Sequence, residues 1–193
     1  MNKLEGMYEL KRNHLPTVDW KLFQEKTVLS ETCAWTIRTA VFKGQDLYLP
    51  KLFGKSGQEA MIFGRRCLQE MKDKGIVFYY PYLEAKKSGV LQFDVSSIQL
   101  ECVEGDLGRL LNGSTPDAAY YWEREFLKEY GKEMLSAKEQ DELLEWVFYC
   151  RRRYREIMKL GEKMQLEFSY VRDGNKENQQ NRLIFFEMRT LKS

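Results

Sequence analysis

The chain carries a single histidine, His14, and this alone excludes any mechanism that needs two, including a histidine-rich metal centre. Cysteine is almost as scarce. The four residues Cys33, Cys67, Cys102 and Cys150 are too far apart in sequence for a zinc knuckle or a redox pair. Each lies in an otherwise apolar stretch, which predicts buried free thiols. No apolar run approaches the length needed to span a bilayer. The opening residues Met1-Asn2-Lys3-Leu4-Glu5 lack the apolar core of a signal peptide, so a cytoplasmic location without a membrane partner is expected. Charge of one sign is missing as well. Lys and Arg total 31 against 29 Asp and Glu, a net charge of +2, so no dominant basic field points to nucleic acid as a partner. Internal repeats and low-complexity tracts are absent.

What remains is the composition of a folded chain. With 193 residues, 43% hydrophobic and 13% aromatic, it exceeds what a disordered segment would hold. That suffices for a single domain over 1–193, either around one core or as two lobes, about 1–95 and 96–193, that share a cleft.

Two helices are legible from their first turns. Ser56-Gly57-Gln58-Glu59 has capping-box spacing, and Ala60, Phe63, Gly64, Cys67, Leu68 and Met71 follow at helical intervals up to Gly75. Ser136-Ala137-Lys138-Glu139 repeats the device. Behind it Leu143, Leu144, Val147, Phe148, Tyr154 and Met158 carry a longer helix towards Gly161. Its Arg151, Arg152 and Arg153 span most of a turn and cannot all meet one ligand, so a solvated face is expected.

The middle of the chain is rich in β-formers. Cys33 to Phe42 and Ile76 to Leu83 read as strands, with Pro81 marking an edge or irregular position in the second. Lys86-Lys87-Ser88-Gly89 reads as a turn, followed by strands at Val90 to Val95 and Ile98 to Val103. Met164 to Val171 alternates apolar and polar residues. The polar stretch Arg172 to Asn181 reads as a solvated loop, and Leu183 to Thr190 follows as its hairpin partner. Mixed strands with two helices predict an α+β fold, mostly antiparallel sheet with packed helices.

Two placements of charge depart from a purely structural pattern. Arg38 lies among small and apolar residues in Ala34 to Ala40 and needs an anion, from a neighbouring carboxylate or from a ligand. In the terminal hairpin, symmetric pairing sets Val171 against Leu183 and therefore Glu167 against Glu187, with Arg189 on the same face. Facing carboxylates repel unless one is protonated or a cation lies between them. A divalent metal with an arginine beside it would suit a polyphosphate; neutralisation of the pair by Arg189 is the structural alternative.

Taken in order, these segments resemble the N-terminal nucleotide-binding domain of the phosphoenolpyruvate synthase, pyruvate phosphate dikinase and rifampin phosphotransferase family. Ile37-Arg38-Thr39-Ala40-Val41 and Gln45-Asp46-Leu47 are similar to its V-R-S-S-A and E-D-L-P segments. Phe78 to Leu83 and Ser88-Gly89-Val90 are similar to its V-V-Q-x-M-V strand and S-G-V turn. Leu100 to Leu107, Asn112-Gly113 and Thr115-Pro116-Asp117 resemble I-E-A-x-x-G-L-G-E…G…x-P-D. Gln165-Leu166-Glu167-Phe168 and Phe186-Glu187-Met188-Arg189 resemble the closing D-I-E-W and L-Q-x-R strands. Lys3 and Leu10 to Pro16 have the spacing of the family's G-G-K…L…x-x-G-x-P-V-P opening without its paired glycines.

The resemblance implies an ATP-grasp-like fold with a reduced first lobe, and an ATP-binding protein using Mg²⁺. Lys3 would reach a phosphate, Arg38 the triphosphate, and Arg189 the phosphates. The hinge Tyr80 to Leu83, including Tyr82, would lie against adenine, and Glu101 would face the sugar. Glu167 and Glu187 would hold the metal. The departures are definite: Gln165 stands where the family has Asp, Glu187 where it has Gln, and Thr39 and Ala40 replace two serines. The stretch from Pro16 to Arg38 is much shorter than in the family. The phosphohistidine and substrate domains have no counterpart in these residues, so a complete dikinase is not expected. Phosphotransfer with separately encoded domains is one expectation; a degenerate, non-catalytic interaction or regulatory module is the other.

Overall fold

Helix α1 (Lys3–Arg12) starts at a reciprocal cap. The Asn2 side chain accepts from the Glu5 N–H, and the Glu5 carboxylate accepts from the Asn2 N–H. The helix stops where His14 adopts φ 55°. The computed structural model describes residues 1–44, 48–123, 126–173 and 181–192. The Gln45-Asp46-Leu47 segment and positions 174–180 of the polar stretch lie outside the described residues.

Strands β1 (Lys21–Leu22), β2 (Trp35–Val41), β3 (Lys51–Lys55) and β4 (Gly75–Pro81) form an antiparallel sheet in the order β1-β4-β2-β3. Helix α2 (Gly57–Glu70), capped by Ser56 and Glu59, packs Ala60 and Cys67 on it against Phe23, Ile37 and Val77. The second sheet contains β5 (Leu83–Phe93), β6 (Ser97–Glu104), β7 (Ala118–Glu123), β8 (Phe126–Gly131), β9 (Lys163–Asp173) and β10 (Arg182–Leu191). Its order is β10-β9-β5-β6-β7-β8, and every ladder is antiparallel. The short helix α3 (Gly108–Leu111) follows β6.

One face of the second sheet is closed by α4 (Ala137–Arg153) and α5 (Arg155–Lys159). Leu143, Val147, Cys150 and Met158 meet Leu91, Leu100, Leu166 and Phe168 there. Fully burying side chains of this size contributes roughly 1.5–3 kcal/mol each before entropy is counted. A third cluster joins the two sheets through α1: Leu4 and Met7 pack with Phe78, Tyr80, Val171 and Ile184. The architecture is thus α+β with two antiparallel sheets and few helices. Among the described residues, no helix is long and apolar enough to cross a membrane.

The sheets change over at Tyr82, because β5 pairs with β6 and β9. Several sequence expectations need correction. Lys86 to Gly89 is strand interior rather than a turn. Gly89 is there because a Cβ would come within 2.5 Å of the Glu101 carbonyl oxygen and 2.7 Å of the Phe168 ring. The Ser136 helix breaks at Tyr154, whose hydroxyl donates to Glu9 Oε2 at 2.6 Å and ties α4 to α1. Arg151 is not on a solvated face: its Nε and Nη2 donate to the carbonyls of Asp94 and Ser97, 2.7 and 2.8 Å away. Cys67, Cys102 and Cys150 are buried free thiols, and burial pushes each above the ordinary thiol range; Cys33 is half-buried.

Candidate functional site

The terminal hairpin places two carboxylates side by side through an irregularity. Beside the connection between the two strands Arg182 pairs with Val171 and Leu183 with Tyr170, one residue away from symmetric pairing. The register then shifts between Phe185 and Glu187, leaving Phe186 as the extra residue, and Glu187 arrives directly opposite Glu167. Val171 therefore does not face Leu183 as expected, while Glu167 does face Glu187.

Three cations from three elements converge on Glu187. Lys3 Nζ, at the start of α1, lies 3.4 Å from Glu187 Oε2, and Arg38 Nη2, on β2, lies 3.6 Å from the same oxygen. Arg189, two residues along β10, donates from Nε to Oε1. Glu187 is 2% exposed, so both its oxygens are engaged out of water. The approach of α1 depends on Gly6. A Cβ there would lie 1.8 Å from the Met188 carbonyl oxygen, so only glycine lets Lys3 come this close to β10.

The cluster's electrostatics follow from burial. Lys3 is lowered from 10.5 to about 8 by desolvation and by Arg38, with Glu187 and Glu167 offsetting only part. Burial opposes the charge of Arg38 too, but Tyr80, Glu187 and Glu167 outweigh it and raise its pKa. The Tyr80 phenol is raised by burial although Arg38 pulls the other way. Glu167 is raised well above the ordinary carboxylate range, by burial first and by Glu187 second. Three cations thus face two carboxylates, one of which is reluctant to ionise. The balance favours an incoming anion.

Glu167 and Arg38 also line a cleft between the sheets, with Thr36, Lys51 and Phe53 from the first sheet and Ser169 and Phe186 from the second. Tyr80, Tyr82 and Leu83, where the sheets change over, line the same cleft, and Asp106, Leu107 and Gly108 close another side. The Tyr80 hydroxyl accepts from Arg38, so an aromatic ring adjoins the cationic cluster directly. The free space is about 100 Å³, below the roughly 300–1,000 Å³ of ordinary small-molecule pockets. A ligand of nucleotide size would therefore have to part the sheets.

Lys3, Arg38, Glu167, Glu187 and Arg189 are brought together, and Tyr80, Tyr82 and Leu83 join Arg38 and Glu167 at the cleft. Glu101 is not among them. It shares a face with Glu167 but lies two strands away, with Val90 between, where it accepts from Gln99 Nε2 at 3.2 Å. Sequence reasoning missed Lys51, Phe53, Asp106 and Ser169. Only Ser169 left a signal, since alternation along Met164 to Val171 puts it on the face of Glu167. Among the described residues, no group of three or more His, Cys, Asp or Glu side chains is arranged to hold a metal ion. Glu167 alone of the facing pair is turned to the cleft. One carboxylate suits Mg²⁺ when ligand phosphates supply further oxygens. No protein-family model matches the chain, and no curated protein does.

Proposed function

We propose that the chain is an ATP-grasp-like nucleotide-binding protein that takes ATP with Mg²⁺ in the cleft between its sheets. The observation that carries this reading is that Arg38, which meets Lys3 and Arg189 on Glu187, lines the same aromatic-lined cleft as Glu167. Phosphate oxygens would meet the cations, adenine would lie towards Tyr80, Tyr82 and Leu83, and Glu167 would supply the protein's share of the metal's ligands. Phosphoryl transfer would need an acceptor from separately encoded phosphohistidine or substrate domains. An ATP ligand fits a cytoplasmic setting.

Calorimetric titration with ATP, with and without Mg²⁺, tests the reading. Binding should be detected and should raise the melting temperature. Arg38→Ala should weaken it by about 1.5–3 kcal/mol, the worth of a charged hydrogen bond. Absence of heat and of a thermal shift at millimolar ATP would overturn it.

A second reading is favoured by one observation: Glu187 already satisfies three cations without any ligand. The cluster would then be a structural joint between α1, β2 and β10 in a non-catalytic interaction module. In that case Arg38→Ala should lower stability with no ATP binding in the parent.

A further inference from the structure

Two serines buried beside the cleft form a relay whose proton directions are fixed by chemistry. Ser88 Oγ lies 2.6 Å from the Gly105 carbonyl oxygen and 2.7 Å from Ser169 Oγ. A carbonyl cannot donate, so the one Ser88 proton is committed to Gly105. The contact between the serines must then use the proton of Ser169. Gly105 is held in place by its own N–H, which donates to the Lys86 carbonyl at 2.9 Å. The relay runs from Ser169 through Ser88 to Gly105, and Ser169 keeps only lone pairs to offer the cleft it lines. Ser169 is 2% exposed and Ser88 0%, so water contributes little to satisfying either.

The position of Ser169 along β9 says which part of a ligand it meets. Glu167, two residues to one side, stands opposite Glu187 and so beside the cationic cluster. Val171, two residues to the other, pairs with Ala85 close to the change-over at Tyr82 and Leu83. Each step of two residues is about 6.7 Å along a strand. In any nucleotide the sugar lies between base and phosphates, and the middle of this span is Ser169.

We infer that Ser169, locked as a hydrogen-bond acceptor by Ser88 and Gly105, reads a donating sugar hydroxyl and so selects ribonucleotides over deoxyribonucleotides; this rests on the nucleotide reading above. A ribose hydroxyl satisfies the buried lone pair. A deoxy carbon leaves it unsatisfied. A ligand group that only accepts is rejected, because Ser169 has no proton free to give it.

Titration of the full chain with ATP, 2′-deoxy-ATP and 3′-deoxy-ATP, each with Mg²⁺, tests the inference. One of the two deoxy analogues should bind roughly three- to tenfold more weakly than ATP, the span of one ordinary hydrogen bond. Ser169→Ala should abolish that difference by weakening ATP, with the melting curve as the check on folding. Ser88→Ala frees the Ser169 proton and should improve binding of 2′- or 3′-fluoro analogues relative to ATP. Equal affinity of the parent for ATP and both deoxy analogues overturns the role of Ser169 while leaving nucleotide binding intact. Failure of the parent to bind any of them overturns the nucleotide reading and this inference with it. Should Ser169→Ala fail to fold, the comparison of analogues on the parent still decides.

Discussion

Glu167 and Glu187 stand directly opposite each other across the β9–β10 hairpin, yet their surroundings are unequal. Lys3, Arg38 and Arg189 all reach Glu187, whereas Glu167 faces the cleft with its pKa raised. Repulsion between facing carboxylates is thus relieved by neutralising one and holding the other close to its protonated form.

Opposite mutational signs follow. Glu187→Gln strands three cations in a largely dry joint and should destabilise by about 3–5 kcal/mol, as when a buried ion pair loses one partner. Glu167→Gln removes a charge that burial penalises and should leave stability at neutral pH unchanged or raise it by about 1 kcal/mol. Urea unfolding of both variants checks this. Equal losses in the two would mean that the carboxylates share the cations evenly.

The pH dependence of the joint is also predictable in sign. A carboxyl whose folded pKa is raised contributes stability fully below its unfolded value of 4.5, and that contribution is lost as pH rises towards the folded pKa. Lys3 is lowered from 10.5 to about 8, so its contribution is present above 10.5 and is lost as pH falls through about 8. Both groups therefore weigh against the fold most heavily near neutrality. Depressed carboxylates elsewhere, such as Asp94 and Glu139, act at lower pH and should cancel in a comparison with Glu167→Gln. The melting temperature of Glu167→Gln minus that of the parent should grow from pH 5 to pH 7. A flat difference would show that Glu167 titrates as an ordinary carboxylate.

The legible parts of this fold were those written in local chemistry. The Ser56 and Ser136 boxes announce α2 and α4 because the reciprocal cap is confined to four residues. The same device at Asn2 and Glu5 went unread, although α1 carries Lys3 into the site. Gly89 shows the opposite failure. In sequence, Ser88-Gly89 has the composition of a turn, but the glycine answers to the Phe168 ring and the Glu101 carbonyl, both remote in the chain. The meeting of Glu167 with Glu187 was found through uniform pairing, whereas the structure reaches it by a shift at Phe186. Lys51 and Phe53 gave no sign, because their place on the cleft depends on how β3 pairs with β2.

Arg151 supplies a test away from the site. Its guanidinium donates to the carbonyls of Asp94 and Ser97 and so clamps the β5–β6 turn to α4. Arg151→Ala should cost about 2 kcal/mol, since two charge-assisted bonds are lost and two carbonyls are left to find water. Arg152→Ala, one residue on in the same helix and exposed, should stay within about 0.5 kcal/mol of the parent. A similar small effect in both would mean that the clamp is not formed in solution.

Gly6 gives the most direct test of how the site is assembled. In an isolated helix, Gly→Ala should stabilise by about 1 kcal/mol, because alanine loses less conformational freedom. Here the new Cβ would fall 1.8 Å from the Met188 carbonyl oxygen and 2.8 Å from its carbon, backbone atoms that no rotamer change can move aside. The first turn of α1 must therefore lift from β10. The far end of the helix is held by the Tyr154 hydroxyl on Glu9 and by Asn13 Nδ2 donating to that hydroxyl at 2.9 Å, so the helix should pivot there. Overpacking against backbone should leave Gly6→Ala about 2–4 kcal/mol less stable, the reverse of the helix-propensity sign. The pivot should also draw Lys3 out of its buried pairing with Glu187. Its amine, held at about 8 in the parent, should then titrate closer to its ordinary 10.5, a change that heteronuclear NMR of the side-chain nitrogen would follow. A variant as stable as the parent, with Lys3 still titrating near 8, would show that α1 does not depend on this close approach to bring its lysine to the joint.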